Sequence, residues 1–140
     1  MTCIQPGRIY ALINVKSGTC LDLSGDDNRS TIGYPFHNSP NQGWMFERQG
    51  NGNFWIKSAS GLYLRVEGGV GNGAKVEVGL MQYDWKIQDD SSVHQGIRVS
   101  PPGKWENLDL HYGNSTPGTR VHLWCGSASN QLWRLQEIDK

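Results

Sequence analysis

Asn41-Gln42-Gly43-Trp44 ends the first third of the sequence, and near the C-terminus the same pattern returns as Asn130-Gln131-Leu132-Trp133. Between them stands a worn copy, Gln82-Tyr83-Asp84-Trp85, so that the tryptophans fall 41 and 48 residues apart. Self-similarity at such a period marks a repeat architecture. Other features keep pace with it. Ser17-Gly18-Thr19-Cys20-Leu21-Asp22-Leu23 lines up with Ser60-Gly61-Leu62-Tyr63-Leu64-Arg65-Val66, and Glu106-Asn107-Leu108-Asp109-Leu110 takes the same slot in the last third. Three units emerge, roughly 6–53, 54–93 and 94–140, within a single domain covering 1–140.

Inside each unit the apolar runs are short, alternating and bounded by turn residues, which is the pattern of strands. In the first unit strands are predicted near Arg8–Asn14, Thr19–Ser24, Thr31–Tyr34 and Trp44–Arg48. The other units carry similar sets, for about twelve strands in all at the close, regular spacing of all-β folds. With 18 Gly and 6 Pro, the longest stretch free of both is Leu80 to Gln95, and it carries Asp-Asp-Ser-Ser, so a long helix is not expected. A propeller needs at least about four blades, whereas three four-stranded units can close into one barrel and remove its edges. The fold class is all-β, a β-trefoil with pseudo-threefold symmetry.

Composition narrows the function. The 13 Lys and Arg balance 13 Asp and Glu, which argues against a nucleic-acid surface. No apolar run approaches the roughly 20 residues of a bilayer span, so no membrane insertion is expected. Met1 to Tyr10 has no basic start followed by an apolar stretch, and the reading is cytoplasmic, with any release by a non-classical route. The three cysteines, Cys3, Cys20 and Cys125, then read as reduced thiols. Asn28-Arg29-Ser30 and Asn114-Ser115-Thr116 read as unmodified sequons. No Cys/His cluster has zinc spacing, and His94 and His111 read as surface residues; neither metal nor cofactor is expected. Asp26-Asp27 and Asp89-Asp90 are adjacent pairs that point to opposite faces of a strand, so they do not suggest catalysis.

At Gln42-x-Trp44 and Gln131-x-Trp133 the sequence resembles the ricin-B-type β-trefoil lectins, and among them the small single-domain fungal agglutinins. The resemblance covers nearly the whole chain. It implies binding of galactose- or N-acetylgalactosamine-type glycans on glycoproteins or glycolipids, up to one site per unit, and no catalysis. It also implies that Trp44, Trp85 and Trp133 are buried and structural. In the family pattern a Leu-Asp dipeptide supplies a carboxylate, a later strand an aromatic platform, and the Asn before Gln-x-Trp a group for a hydroxyl. The third unit matches throughout, with Asp109, His122-Leu123-Trp124, Asn130 and Gln131. The first keeps Asp22, Asn41 and Gln42, but counting back from Gln-x-Trp puts Pro35 where Trp124 stands. Alternation then sets Gly33, Pro35 and His37 on one face. His37 becomes the candidate platform with Gly33 beside it, and Tyr34 or Phe36 takes over if a bulge shifts the register. The second unit has Arg65 in the carboxylate slot and no Asn, and its site reads as dead. Cys20 and Cys125 lack the partners that staple many secreted members of the family.

The chemistry stands independently of the resemblance. A galactose-like ring has one face of C–H groups, which an aromatic ring can cover, and adjacent hydroxyls on its rim. A carboxylate accepts a hydrogen bond from each hydroxyl, an Asn amide donates to one of the same oxygens, and His122 is a further donor. Such a shallow site binds one sugar weakly, so two sites or a homodimer would supply avidity. Two other readings compete on the same fold. One is an interaction protein such as a protease inhibitor, acting through Gly68 to Ala74 or Asp89 to Gln95. The other is the carbohydrate module of a hydrolase.

Overall fold

The computed structural model describes residues 4–138. Their regular structure is twelve strands and three short 3₁₀ turns, with no α-helix among the described residues. The strands are β1 (Ile9–Asn14), β2 (Cys20–Leu23), β3 (Thr31–Tyr34), β4 (Trp44–Arg48), β5 (Phe54–Ser58), β6 (Tyr63–Val66), β7 (Val76–Gly79), β8 (Lys86–Asp89), β9 (Gly96–Ser100), β10 (Glu106–Leu110), β11 (Thr119–Cys125) and β12 (Trp133–Glu137). No helix of the described residues is long and apolar enough to cross a membrane.

Six strands close a barrel, all antiparallel: β1 pairs with β4, β4 with β5, β8 with β9, β9 with β12, and β12 with β1. The remaining joint, between β5 and the entry to β8, is the bridge Phe54↔Trp85. Hairpins β2–β3, β6–β7 and β10–β11 cap one end. Pairings between neighbouring hairpins tie the cap together: Thr119↔Gly33, Ser30↔Glu77 and Lys75↔His122. This is a β-trefoil.

The three tryptophans show why this sequence closes in this way. Trp44, Trp85 and Trp133 are fully buried. Each pairs with the first strand of its own unit, at Tyr10, Phe54 and Ile97. Each indole N–H then donates to the carbonyl of a β2-type leucine: Trp44 to Leu21 at 3.1 Å, Trp85 to Leu64 at 2.8 Å, Trp133 to Leu108 at 3.0 Å. One residue thus fills the core with a large apolar surface and satisfies a buried backbone group. It also fixes the strand that carries the next residue, which is Asp22, Arg65 or Asp109.

Cys20 and Cys125 are free thiols; Cys3 lies outside the described residues. Burial, helped by the charge of Asp22, pushes the Cys20 thiol up to about 12, so it is an inert core group.

Candidate carbohydrate-binding site

Two hollows repeat one construction. In the first repeat Asp22 sits on β2, 2% exposed. Asn41 donates to its Oδ1 at 3.0 Å and Gln42 to its Oδ2 at 2.9 Å. In the third repeat Asp109, on β10 and 3% exposed, takes Asn130 at 3.3 Å and Gln131 at 2.8 Å on Oδ2. Both Asn-Gln pairs lie on 3₁₀ turns, Pro40–Gln42 and Ser129–Gln131, just before the buried tryptophan. The turn presents adjacent side chains to one carboxylate, which a strand would send to opposite faces.

These contacts redistribute the expected roles. Gln42 and Gln131 are buried behind the carboxylates. Each also donates to the backbone where the aromatic strand ends, at Pro35 just past β3 and at Cys125, the last residue of β11. They hold the carboxylates in place from behind, and Gln131 also lines the third hollow. The Nδ2 of Asn41 is shared between Asp22 and the Leu23 carbonyl, and that of Asn130 between Asp109 and the Leu110 carbonyl. Both N–H bonds of each amide are spent, so the expectation that Asn donates to a sugar hydroxyl is corrected: only the amide oxygen has acceptor capacity left for a ligand, and that of Asn41 already accepts from the Ser39 hydroxyl. His122 is corrected likewise. It is 2% exposed, and its Nε2 lies 2.9 Å from Asp109 Oδ1, so it braces the carboxylate instead of projecting a donor. Its buried Nδ1 has no partner among the described residues.

Strand register assigns the aromatic platforms. Asp109 pairs with His122 and Asn107 with Trp124; Asp22 pairs with Ile32 and Cys20 with Tyr34. Tyr34 therefore occupies the place of Trp124, not Pro35. The single extra residue of the first repeat falls between Pro35 and Asn41, where Asn38 takes a positive φ of 55°. Counting back from Gln-x-Trp runs across that insertion and slips by one. Gly33 is accordingly corrected: it faces the core, where a Cβ would stand 2.7 Å from Leu110 Cδ1 and 3.1 Å from Thr19 Oγ1. His37 does line the first hollow, edge-on to Tyr34 with ring centroids 5.7 Å apart. Phe36 does not line it.

The third hollow, about 250 Å³, has a longer aromatic wall than the sequence suggested. Trp124 is 44% exposed. Its ring lies 5.7 Å from His122, His122 is 5.1 Å from His111, and His111 is 4.4 Å from Tyr112. His111, expected to be plain surface, thus belongs to the site. The signal for it was weak, because the turn His111–Gly113 swings it back only through the left-handed Tyr112, at φ 53°. The second repeat's loop also supports this hollow: Gly73 N–H donates to the Leu123 carbonyl at 2.7 Å, and Asn72 Oδ1 accepts from Cys125 N–H at 2.8 Å. Residues 72–74 of the Gly68 to Ala74 loop are thereby tied to β11, while Gly68 and Gly69 stay exposed.

In the second repeat the same register places Arg65 opposite Glu77 and Tyr63 opposite Gly79. Arg65 replaces the carboxylate, and its stem lies where a side chain at 79 would stand, 2.8 Å from that Cβ position. Tyr83 takes the place of the glutamine. Glu77, buried, receives Arg65 at 3.2 Å and Arg29 of the first repeat at 3.0 Å. Among the described residues no cluster of His, Cys, Asp and Glu is arranged to hold a metal ion.

A family model described as "Ricin-type beta-trefoil lectin domain-like" matches residues 3–79. Among solved structures the chain is similar to the ricin B-like lectin of Macrolepiota procera in complex with lactose. Identity is 38% and the TM-score 0.92, over 98% of this chain and 100% of that one. It is also similar to the designed threefold-symmetric protein ThreeFoil, at 24% identity and a TM-score of 0.81, over 93% and 99% of the two chains. The C-half of an earthworm R-type lectin in complex with GalNAc shares the fold at 14% identity and a TM-score of 0.70, over 94% and 99%. No curated protein sequence matches the chain.

Proposed function

The chain belongs to the ricin-type β-trefoil lectin family, and from that membership we propose that it binds glycans ending in galactose or N-acetylgalactosamine through its first and third repeats. The domain is a lectin and not an enzyme. One observation carries the distribution of sites: a buried carboxylate held by an Asn-Gln turn beside an exposed aromatic occurs at Asp22 and at Asp109. Arg65 and Gly79 break the same construction in the second repeat.

The two sites differ in capacity. A carboxylate offers about four acceptor positions. Asp22 has one taken on each oxygen, leaving one on each for two adjacent sugar hydroxyls. Asp109 has two taken on Oδ2 and one on Oδ1 by His122, leaving one. The third hollow makes up in aromatic surface what it lacks in acceptors, since Trp124 covers more of the apolar sugar face than Tyr34 does. The lactose bound by the Macrolepiota procera lectin ends in galactose, which supports the sugar class. The partners would be glycoproteins or glycolipids bearing such ends, with two weak sites per chain supplying avidity.

Calorimetric titration with N-acetylgalactosamine and with lactose is the test. About two sites per chain are expected, falling to about one in Asp109→Ala, where the affinity of the lost site drops by more than about tenfold, or 1.4 kcal/mol. Unchanged stoichiometry in a folded Asp109→Ala, or no heat with either sugar, would remove the reading.

A further inference from the structure

Trp105 is the most exposed large aromatic side chain of the described residues, at 87%. Pro101-Pro102-Gly103 precede it, with Lys104 N–H closing a turn on the Pro101 carbonyl at 3.2 Å and Gly103 at φ +74°. Two proline rings and this turn restrict the backbone that carries the indole. It borders a hollow of about 460 Å³ whose walls include Lys86, Gln88, Arg98 and Lys104 and no carboxylate. Arg98 is paired with Asp90, whereas Lys86 and Lys104 have no ion pair among the described residues. Gly126 lines both this hollow and the Asp109–Trp124 hollow. Asn107, on the wall between them, donates to the Gly126 carbonyl at 2.9 Å.

We propose that this hollow is a second subsite, continuous with the third-repeat sugar site, which takes an anionic residue of a longer glycan. The proposal rests on the third-repeat reading above. Trp105 supplies a stacking face for the C–H side of a further sugar ring, and Lys86 and Lys104 supply charge for a sulfate or carboxylate. Sulfate and carboxylate present the same recognisable feature, an oxyanion on a ring held against an aromatic. With adjacent rim hydroxyls of the first sugar turned to Asp109, that sugar extends through its primary hydroxyl or its reducing end.

The probes are N-acetyllactosamine, the same disaccharide sulfated on either primary hydroxyl, and a form carrying sialic acid on the galactose primary hydroxyl. The full chain should bind at least one anionic form about tenfold more tightly than the neutral one at low salt, an advantage that shrinks as salt screens it. Trp105→Ala and the double change Lys86→Gln, Lys104→Gln should each erase the advantage while leaving N-acetylgalactosamine affinity unchanged. The Trp105 indole N–H resonance should move with the anionic ligand and not with the monosaccharide. Preference for the sulfated over the sialylated form, or the reverse, identifies the source of the anion. With N-acetylgalactosamine binding intact, no advantage for any anionic form, or one that survives both variants, overturns the subsite alone. Absence of N-acetylgalactosamine binding overturns the third-repeat site and the subsite with it.

Discussion

Asp22 is a carboxylate placed where water hardly reaches, and burial raises its pKa above the ordinary 3.8 against the lowering pull of Gln42, His37 and Asn41. As pH falls, it takes up its proton earlier than a free aspartate would, and a protonated carboxyl loses acceptor capacity just where sugar hydroxyls would donate. Binding at the first hollow should therefore weaken on acidification at a pH above the usual carboxylate range. Lactose titrations of Trp124→Ala from neutral to acidic pH would read the first hollow alone, and an affinity flat through that range would contradict the role given to Asp22. The effect on the fold has the opposite sign. A raised folded-state pKa means that ionising Asp22 costs stability as pH rises through its window, and this cost is absent below it. Asp22 and Asp109 were legible as a pair because the offset repeats. The spent amide protons of Asn41 and Asn130 were not, because a sequence does not say which carbonyl a side chain will meet.

Among the elements, the β2-type strands matter most, and the tryptophan of each unit holds its own. Replacing Trp133 by Phe keeps an aromatic ring in the core but strands the Leu108 carbonyl, now 3.0 Å from its donor. An unpaired buried acceptor costs about 1–3 kcal/mol. Trp133→Phe should lower the unfolding free energy by that amount, seen as a lower denaturant midpoint, and weaken sugar binding at the third hollow, since Leu108 precedes Asp109, while the first hollow keeps its affinity. Equal weakening at both hollows would mean that the indole bond serves the whole barrel and not its own strand. The strand positions themselves were readable: β3 and β4 fall at Thr31–Tyr34 and Trp44–Arg48, as the alternation of apolar residues predicts. The 3₁₀ turns were not, because three-residue turns leave no periodicity to detect.

On the scale of the whole molecule, the repeats are joined by contacts that break the threefold pattern. Glu77 is the clearest, a buried carboxylate taking Arg65 from its own repeat and Arg29 from the first. Glu77→Gln leaves two guanidiniums sharing a neutral amide, one of them largely exposed, so the expected loss is modest, about 1–3 kcal/mol. Thermal unfolding should register it, while the sugar stoichiometry stays that of the parent chain. A loss of sugar binding at the first or third hollow in this variant would show that the second repeat contributes to the sites beyond supporting the cap. Glu77 and its two arginines thus tie the second repeat to the first.

The sequence by itself determined the all-β class, the three units, the buried tryptophans and the two carboxylates. Each of these is written as a spacing, and spacing survives in one dimension. Tertiary structure alone decided which aromatic faces each carboxylate, which donors are already spent, and that His111 and Trp105 border the third-repeat surface. Cross-strand register sets the first, competition among nearby acceptors sets the second, and turns that reverse the chain set the third. All three depend on residues that meet only after the barrel has closed.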